Sequence, residues 1–323
     1  MRIASLGAGR MGRGVAVVFA YAGHEVAVVD FKHRPQADFD ALAKEAETEI
    51  AGILQTLARI GLMAPADVAI LMKRVRLVPA SGAAEAFGAA DYIFEALPEV
   101  LALKREALAR ASALAGAGAI IASTTSTILV DDMADAVVDP GRFLNAHWLN
   151  PAFLVPLVEL SPGSKTRSQT TAAIKAMLES IGKIPVVCAA TPGYIVPRIQ
   201  GMAMNEAARM VQEGVATAED IDKAVIYGFG FRFAILGLLE FIDWGGGDIL
   251  YHTSRYMTEA LGHERYAAPD IIERNMAEGR IGLKTRVGFL DYDGVDIDAY
   301  RVKRLAAFAE SLRRLGLARK PAL

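Results

Sequence analysis

Residues 3–30, I-A-S-L-G-A-G-R-M-G-R-G-V-A-V-V-F-A-Y-A-G-H-E-V-A-V-V-D, constrain this chain more than any other stretch. Ile3 to Leu6 is a short apolar run of the kind that forms a buried strand. Gly7, Gly9 and Gly12 follow at G-x-G-x-x-G spacing, and Val15 to Tyr21 is an apolar helical stretch that Gly23 stops. Glu25 to Val29 is a second strand ending on Asp30. In a strand–turn–helix unit the first glycine permits the tight turn, the second lets backbone approach a diphosphate, and the third lets helix and strand pack closely. The diphosphate then meets the free N–H groups at the helix N-terminus. Asp30, 18 residues after Gly12, falls where a carboxylate bonds the adenosine ribose hydroxyls and repels a 2′-phosphate. The expectation is a dinucleotide site on Gly7, Gly9, Met11, Gly12 and Asp30 that prefers NAD to NADP. Lys32 and Arg34 just beyond keep NADP open, and an ordinary βαβ unit with a glycine turn is the plain alternative.

Strand and helix alternate after this unit. Phe39 to Gly61 is helical by period, Pro65 opens a further helix over 66–73, and short apolar strands are expected at 76–78, 91–95 and 119–122, with helices over 82–88 and 100–114. Such alternation argues for a parallel sheet covered on both faces. Ligands bind beyond the C-terminal strand ends of such a sheet, where the glycine loop, Glu99 and Ser126 all fall. Two more strands, 142–147 and 156–160, flank a loop containing Asn150-Pro151, followed by a helix over 170–181 and a last strand at 184–188. T-P-G at 191–193 reads as a linker. Beyond it the chain reads as helices, with turns at Gly228-Phe229-Gly230 and Gly245-Gly246-Gly247. The expected fold is an α/β Rossmann-type doubly wound sheet domain, 1–190, followed by an all-α C-terminal domain, 191–323.

At 323 residues the chain is long for one core. Near-balanced charge, 35 Lys+Arg against 37 Asp+Glu, offers no basic block for nucleic acid or an anionic membrane. No apolar run is long enough to span a bilayer, and the glycines at 7, 9, 12 and 14 interrupt any signal-like run. The single cysteine, Cys188, excludes an internal disulfide, fits a reducing compartment and reads as a buried structural thiol. A cytoplasmic protein with no metal, nucleic-acid or membrane partner is expected.

The densest group of reactive side chains outside the glycine loop is Ser126, His147, Asn150 and Glu159. His147 closes one strand and Glu159 lies near the end of the next, so the two could meet. A histidine held by a carboxylate is a general base with a fixed tautomer. Glu159 sits in the apolar run Leu157-Val158-Glu159-Leu160, where a carboxylate is costly unless paired. A structural histidine near a solvated glutamate fits the spacing equally well.

The chain resembles the L-3-hydroxyacyl-CoA dehydrogenase family over nearly all its length. The matching stretches are the glycine loop, F-E-A-L-P-E-V-L-A-L-K (94–104), A-S-T-T-S-T-I (122–128), H-W-L-N-P-A-F-L-V-P-L-V-E-L (147–160), T-P-G-Y-I-V (191–196) and G-L-K-T-R-V-G-F-L-D-Y (282–292). The resemblance implies His147 as the base for the 3-hydroxyl proton and Glu159 as its orienting partner. It implies Ser126 as a bond to the substrate oxygen, Asn150 as a positioning group, Glu99 and Lys104 as cofactor contacts, and a homodimer formed through the C-terminal domain. Three features depart from the acyl-CoA pattern. Pro197 stands where the family usually has an asparagine, and offers neither side-chain donor nor N–H. The lysine common before L-V-E is absent. Arg232 lies in the apolar turn Gly230-Phe231-Arg232-Phe233-Ala234. The last two features look like the subgroup acting on free 3-hydroxy acids, such as L-gulonate and carnitine dehydrogenases. An arginine there calls for an anion, either a substrate carboxylate or a local acid such as Glu240.

The expected activity is NAD-dependent oxidation of the 3-hydroxyl of a small 3-hydroxy acid, with Ser126, Trp148, Pro197 and Arg232 on the substrate side. The alternatives are a short-chain L-3-hydroxyacyl-CoA dehydrogenase and a nucleotide-binding protein without turnover. The acids at 38, 40, 45, 47 and 49 speak against a CoA surface on the first long helix.

Overall fold

The computed structural model describes residues 1–322. Two compact units are present, Met1–Ala203 and Met204–Leu323. The first is built on an eight-stranded sheet: β1 (Arg2–Leu6), β2 (Glu25–Val29), β3 (Val75–Val78), β4 (Tyr92–Glu95), β5 (Ile120–Ser123), β6 (Phe143–Trp148), β7 (Leu157–Pro162) and β8 (Ile184–Val187). The strand order is β3-β2-β1-β4-β5-β6-β7-β8. The chain moves one way across the sheet from β1 to β3 and the other way from β4 onward. The crevice therefore opens at the C-terminal ends of β1 and β4.

Four of the five residues in each of β1 and β2 are buried, as strands covered on both faces must be. On one face α1 (Arg10–Tyr21) and α2 (Gln36–Arg59) set Val15, Phe19, Ile50 and Leu54 against Val26, Val28 and Phe94. α3 (Asp67–Met72) adds Leu71 to this side. On the other face α4 (Ala83–Ala89), α5 (Leu101–Leu114) and α6 (Val130–Ala134) bring Phe87, Leu108 and Met133 onto Leu6, Ile93 and Ile121. α7 (Ser168–Ser180) returns the chain to β8.

One expectation fails here: the sheet is not parallel throughout. β7 runs antiparallel to β6, while every other neighbouring pair is parallel. The link over 149–156 is too short to carry a crossover helix, so the chain turns straight back. That reversal sets His147 directly opposite Glu159.

The second unit holds α9 (Ala218–Ala224), α10 (Phe231–Phe233), α11 (Leu238–Gly245), α12 (Gly247–Leu261), α13 (Asp270–Ala277) and α14 (Ile297–Arg314), while α8 (Val196–Gln212) spans the boundary between the units. The turn expected at Gly228–Gly230 is not formed. Residues 225–230 continue from α9 into α10 as widened helical turns, because neither glycine takes a left-handed φ that would end the helix. Gly246, at φ +106°, does break the chain between α11 and α12. Asp243, almost fully buried, accepts the N–H groups of Phe289 (2.9 Å) and Leu290 (2.8 Å). A Cβ on Gly288 would lie 2.0 Å from that carboxylate, so the 282–292 stretch is a wrap around one acid. Among the described residues no single helix is long and apolar enough to cross a membrane.

Candidate active site

The turn from β1 into α1 is shaped by its glycines. Gly7 has φ +116°, and a Cβ there would meet the Ala96 carbonyl at 2.9 Å. A Cβ on Gly12 would come within 2.0 Å of the Gly7 carbonyl oxygen and 2.6 Å of Ser5 Oγ, so only glycine allows α1 to pack this close. Gly9 is the opposite case: nothing lies within 4 Å of where its Cβ would be. The space left open at Gly9 is what a diphosphate needs to reach the backbone. The cleft beyond is about 610 Å³ and is lined by Gly7, Gly9, Asp30, Arg34, Leu97 and Arg110. Asp30 directly follows β2, its carboxylate largely buried and accepting a bond from Arg34 Nε at 2.6 Å. Arg13, in the first turn of α1, is buried too; it donates to the Ala8 carbonyl (2.8 Å) and pairs with Glu45 (2.9 Å) and Glu49 of α2. These residues fit an NAD molecule.

A second cleft of about 310 Å³ adjoins Gly9 and is lined by Met11, Glu99, Lys104, Ser126 and Asn150. Glu99 Oε2 accepts from Thr125 Oγ1 (2.7 Å) and its Oε1 from the Ser126 N–H (2.5 Å), which fixes the loop that carries Ser126. Lys104 is 1% exposed. Its ammonium donates to both oxygens of Glu95 (2.8 and 3.1 Å) and to the Leu97 carbonyl (2.9 Å). Lys104 therefore supports the floor of the cleft, and a direct bond from it to the cofactor would displace one of these partners. Glu95, fully buried and also bonded by the Ser123 hydroxyl, is the residue that sequence reading missed. Its signal was an acid closing the apolar strand D-Y-I-F-E, which needs a cation once buried.

His147 and Glu159 meet across the β6–β7 pair. His147 Nδ1 lies 2.8 Å from Glu159 Oε2, both side chains buried. With Nδ1 facing a carboxylate, Nδ1 carries the proton and Nε2 keeps its lone pair. The other carboxylate oxygen accepts the N–H groups of Ile195 (2.9 Å) and Val196 (2.8 Å). Three hydrogen bonds thus offset the cost of burying Glu159. Pro197 follows at the second position of α8, half-buried and without an N–H to add. Against the His147 ring lies Tyr194, its plane within 1° and its centroid at 4.9 Å.

Trp148 does not belong to this group. Successive strand residues point to opposite faces, so His147 on the site side sends Trp148 into the core. There it is 2% exposed and packs edge-on against Phe19 and Phe94. Cys188 is only partly buried; burial, then the charge of Glu159, pushes its thiol up from the ordinary value. Arg232, in the second unit, is exposed, with its guanidinium 5.5 Å from the Phe241 ring centre. It makes no ion pair among the described residues, and Glu240 pairs instead with Arg304 (2.5 Å) and the Tyr300 hydroxyl.

A Rossmann-type sheet with a glycine cradle, and a buried histidine–carboxylate pair near its C-terminal edge, define a nicotinamide-dependent oxidoreductase. Comparison with known proteins makes this more specific. Residues 2–191 match the model of the 3-hydroxyacyl-CoA dehydrogenase NAD-binding domain, and residues 193–292 that of the 3-hydroxyacyl-CoA dehydrogenase C-terminal domain. The chain is 30% identical over 305 residues to 5-formyl-3-hydroxy-2-methylpyridine 4-carboxylate 5-dehydrogenase of Mesorhizobium japonicum, covering 94% of each chain. It is 33% identical to L-carnitine dehydrogenase of Streptomyces coelicolor, over 84% of this chain and 82% of that one. The crystal structure of the 3-hydroxyacyl-CoA dehydrogenase from Archaeoglobus fulgidus superposes with a TM-score of 0.77 at 30% identity, covering 98% of this chain and 100% of that one. The chain belongs to the 3-hydroxyacyl-CoA dehydrogenase family and is an NAD-dependent dehydrogenase.

Proposed function

We propose that this protein oxidises the 3-hydroxyl of a small free 3-hydroxy acid to the 3-oxo acid, reversibly. The observation that carries this reading is Arg232, an exposed guanidinium beside the Phe241 ring with no carboxylate partner among the described residues, since Glu240 is paired to Arg304. A substrate carboxylate is the anion such a fork binds best. The acids of α2 support the same reading: Glu45 and Glu49 answer Arg13, and Asp40 and Glu47 remain exposed, a poor surface for CoA phosphates.

Bound NAD⁺ supplies the hydride acceptor. His147 Nε2 takes the hydroxyl proton as the carbonyl forms, and Glu159 stabilises the imidazolium that results. The Ser126 hydroxyl bonds the substrate oxygen, and Asn150 helps to place the substrate. In this reading residues 1–190 hold NAD and residues 191–323 form the substrate and dimerisation domain of a cytoplasmic homodimer.

The test is a steady-state comparison of free 3-hydroxy acids with 3-hydroxybutyryl-CoA, in the unmodified protein and in Arg232→Met. The variant should raise KM for free acids about ten- to a hundredfold, the size of a lost charge-assisted contact, and change thioester turnover much less. Efficient turnover of the thioester with none of the acids would replace this reading with the short-chain acyl-CoA one. No turnover of either would leave an NAD-binding protein.

A further inference from the structure

We infer that Tyr194 is a positioning residue for His147, its stacked ring and pinned hydroxyl holding the imidazole in the orientation proton transfer requires. This rests on the role given to His147 above. The Cβ–Cγ bond and the hydrogen bond from Nδ1 to Glu159 hold one edge of the imidazole and leave its tilt about that edge the least constrained motion. The Tyr194 ring lies parallel to it at 4.9 Å, an offset stack that removes this freedom.

The ring of Tyr194 is itself fixed by two hydrogen bonds at its hydroxyl. Its hydroxyl donates to the Thr125 carbonyl (2.9 Å) and accepts from Asn145 Nδ2 (3.1 Å), and Asn145 also donates to the Ile128 carbonyl (2.9 Å). Burial holds the hydroxyl well above the ordinary phenol range, so it remains a donor. Thr125 adjoins Ser126, and Asn145 is two residues before His147 on the same face of β6. One phenol therefore ties the Ser126 loop to the strand carrying the base.

The backbone shows that the arrangement is imposed. Tyr194 has φ +46°, a left-handed value a tyrosine adopts only when its surroundings hold it there. With Gly193 also left-handed at φ +79°, the chain turns so that the next two N–H groups, Ile195 and Val196, meet Glu159 Oε1. The same turn thus places the ring on the histidine and the donors on its carboxylate partner.

The test compares the unmodified full-length protein with Tyr194→Phe and Tyr194→Leu. The imidazole proton resonances of His147, identified among the five histidines by their loss in His147→Gln, should be shifted upfield in the unmodified protein by the stacked ring. Tyr194→Phe should keep that shielding and Tyr194→Leu should abolish it. On a free 3-hydroxy acid Tyr194→Leu should lower kcat about tenfold or more while NADH affinity stays within about twofold. Unshielded His147 resonances in the unmodified protein overturn the inference without any Tyr194 variant. So does a folded Tyr194→Leu with unchanged kcat. Full turnover in His147→Gln would instead refute the role of His147, and the resonance measurements would still report whether the stack exists.

Discussion

At the scale of single residues, charges in this protein decide more than their number suggests. Asp30 favours NAD, yet it is paired with Arg34, a cation already in place for a 2′-phosphate. NADH should therefore bind more tightly than NADPH, and Asp30→Ala should narrow the gap about tenfold by releasing Arg34. Asp30→Ala combined with Arg34→Ala should not gain NADPH affinity. Equal affinity of the unmodified protein for the two cofactors, read by fluorescence titration, would remove Asp30 from the role. His147→Gln should cost about 10² to 10⁴ in kcat with NADH affinity nearly unchanged. Near-normal turnover in that variant would place the base elsewhere. Glu159 was legible because a carboxylate between Val158 and Leu160 must have partners. Trp148 was misread because adjacency to His147 in sequence means the opposite face in a strand.

At the scale of elements, two glycines of one loop make opposite predictions. Gly12→Ala drives a methyl against the Gly7 carbonyl at 2.0 Å, so β1 and α1 must separate. It should cost at least about 1–3 kcal/mol of stability, read as a lowered urea midpoint. Gly9→Ala meets nothing in the protein and should leave the midpoint unchanged while NADH affinity falls, because the methyl occupies the diphosphate's place. If the two variants behave alike, the loop does not form this cradle. The loop after β6 has its own fastening. Lys183, buried beneath Trp148, donates to the carbonyls of Ala152 (2.6 Å) and Val155 (2.8 Å), and burial pushes its ammonium below the ordinary lysine value. A neutral amine still has the two N–H groups these carbonyls require. Unfolding therefore takes up a proton as pH approaches the lysine range from below, and stability rises with pH there. Relative to Lys183→Met, the unmodified protein should gain stability as pH approaches the ordinary lysine value of about 10.4 from below. A difference that stays flat across that range would mean the ammonium is not desolvated.

At the scale of the whole molecule, the C-terminal helices carry many exposed apolar side chains, among them Met204, Ile226, Tyr256 and Val302. A second copy of the chain would cover such a surface, and light scattering on the full chain should give twice the 34.5 kDa monomer mass. A monomer at all micromolar concentrations would exclude the dimer. The glycine loop, the alternation of strand and helix and the candidate base pair could all be read from residue order. Each rests on local chemistry: a turn that only glycine permits, a period of two or 3.6, or an acid too costly to bury alone. Contacts between distant residues could not be read in the same way. His147 reaches Glu159 because β7 turns back antiparallel, Lys104 reaches Glu95 across a strand end, and Asn145 reaches Tyr194 over 49 residues. Such contacts depend on which strands pair and in what register, and that is settled by burying both faces of the sheet at once.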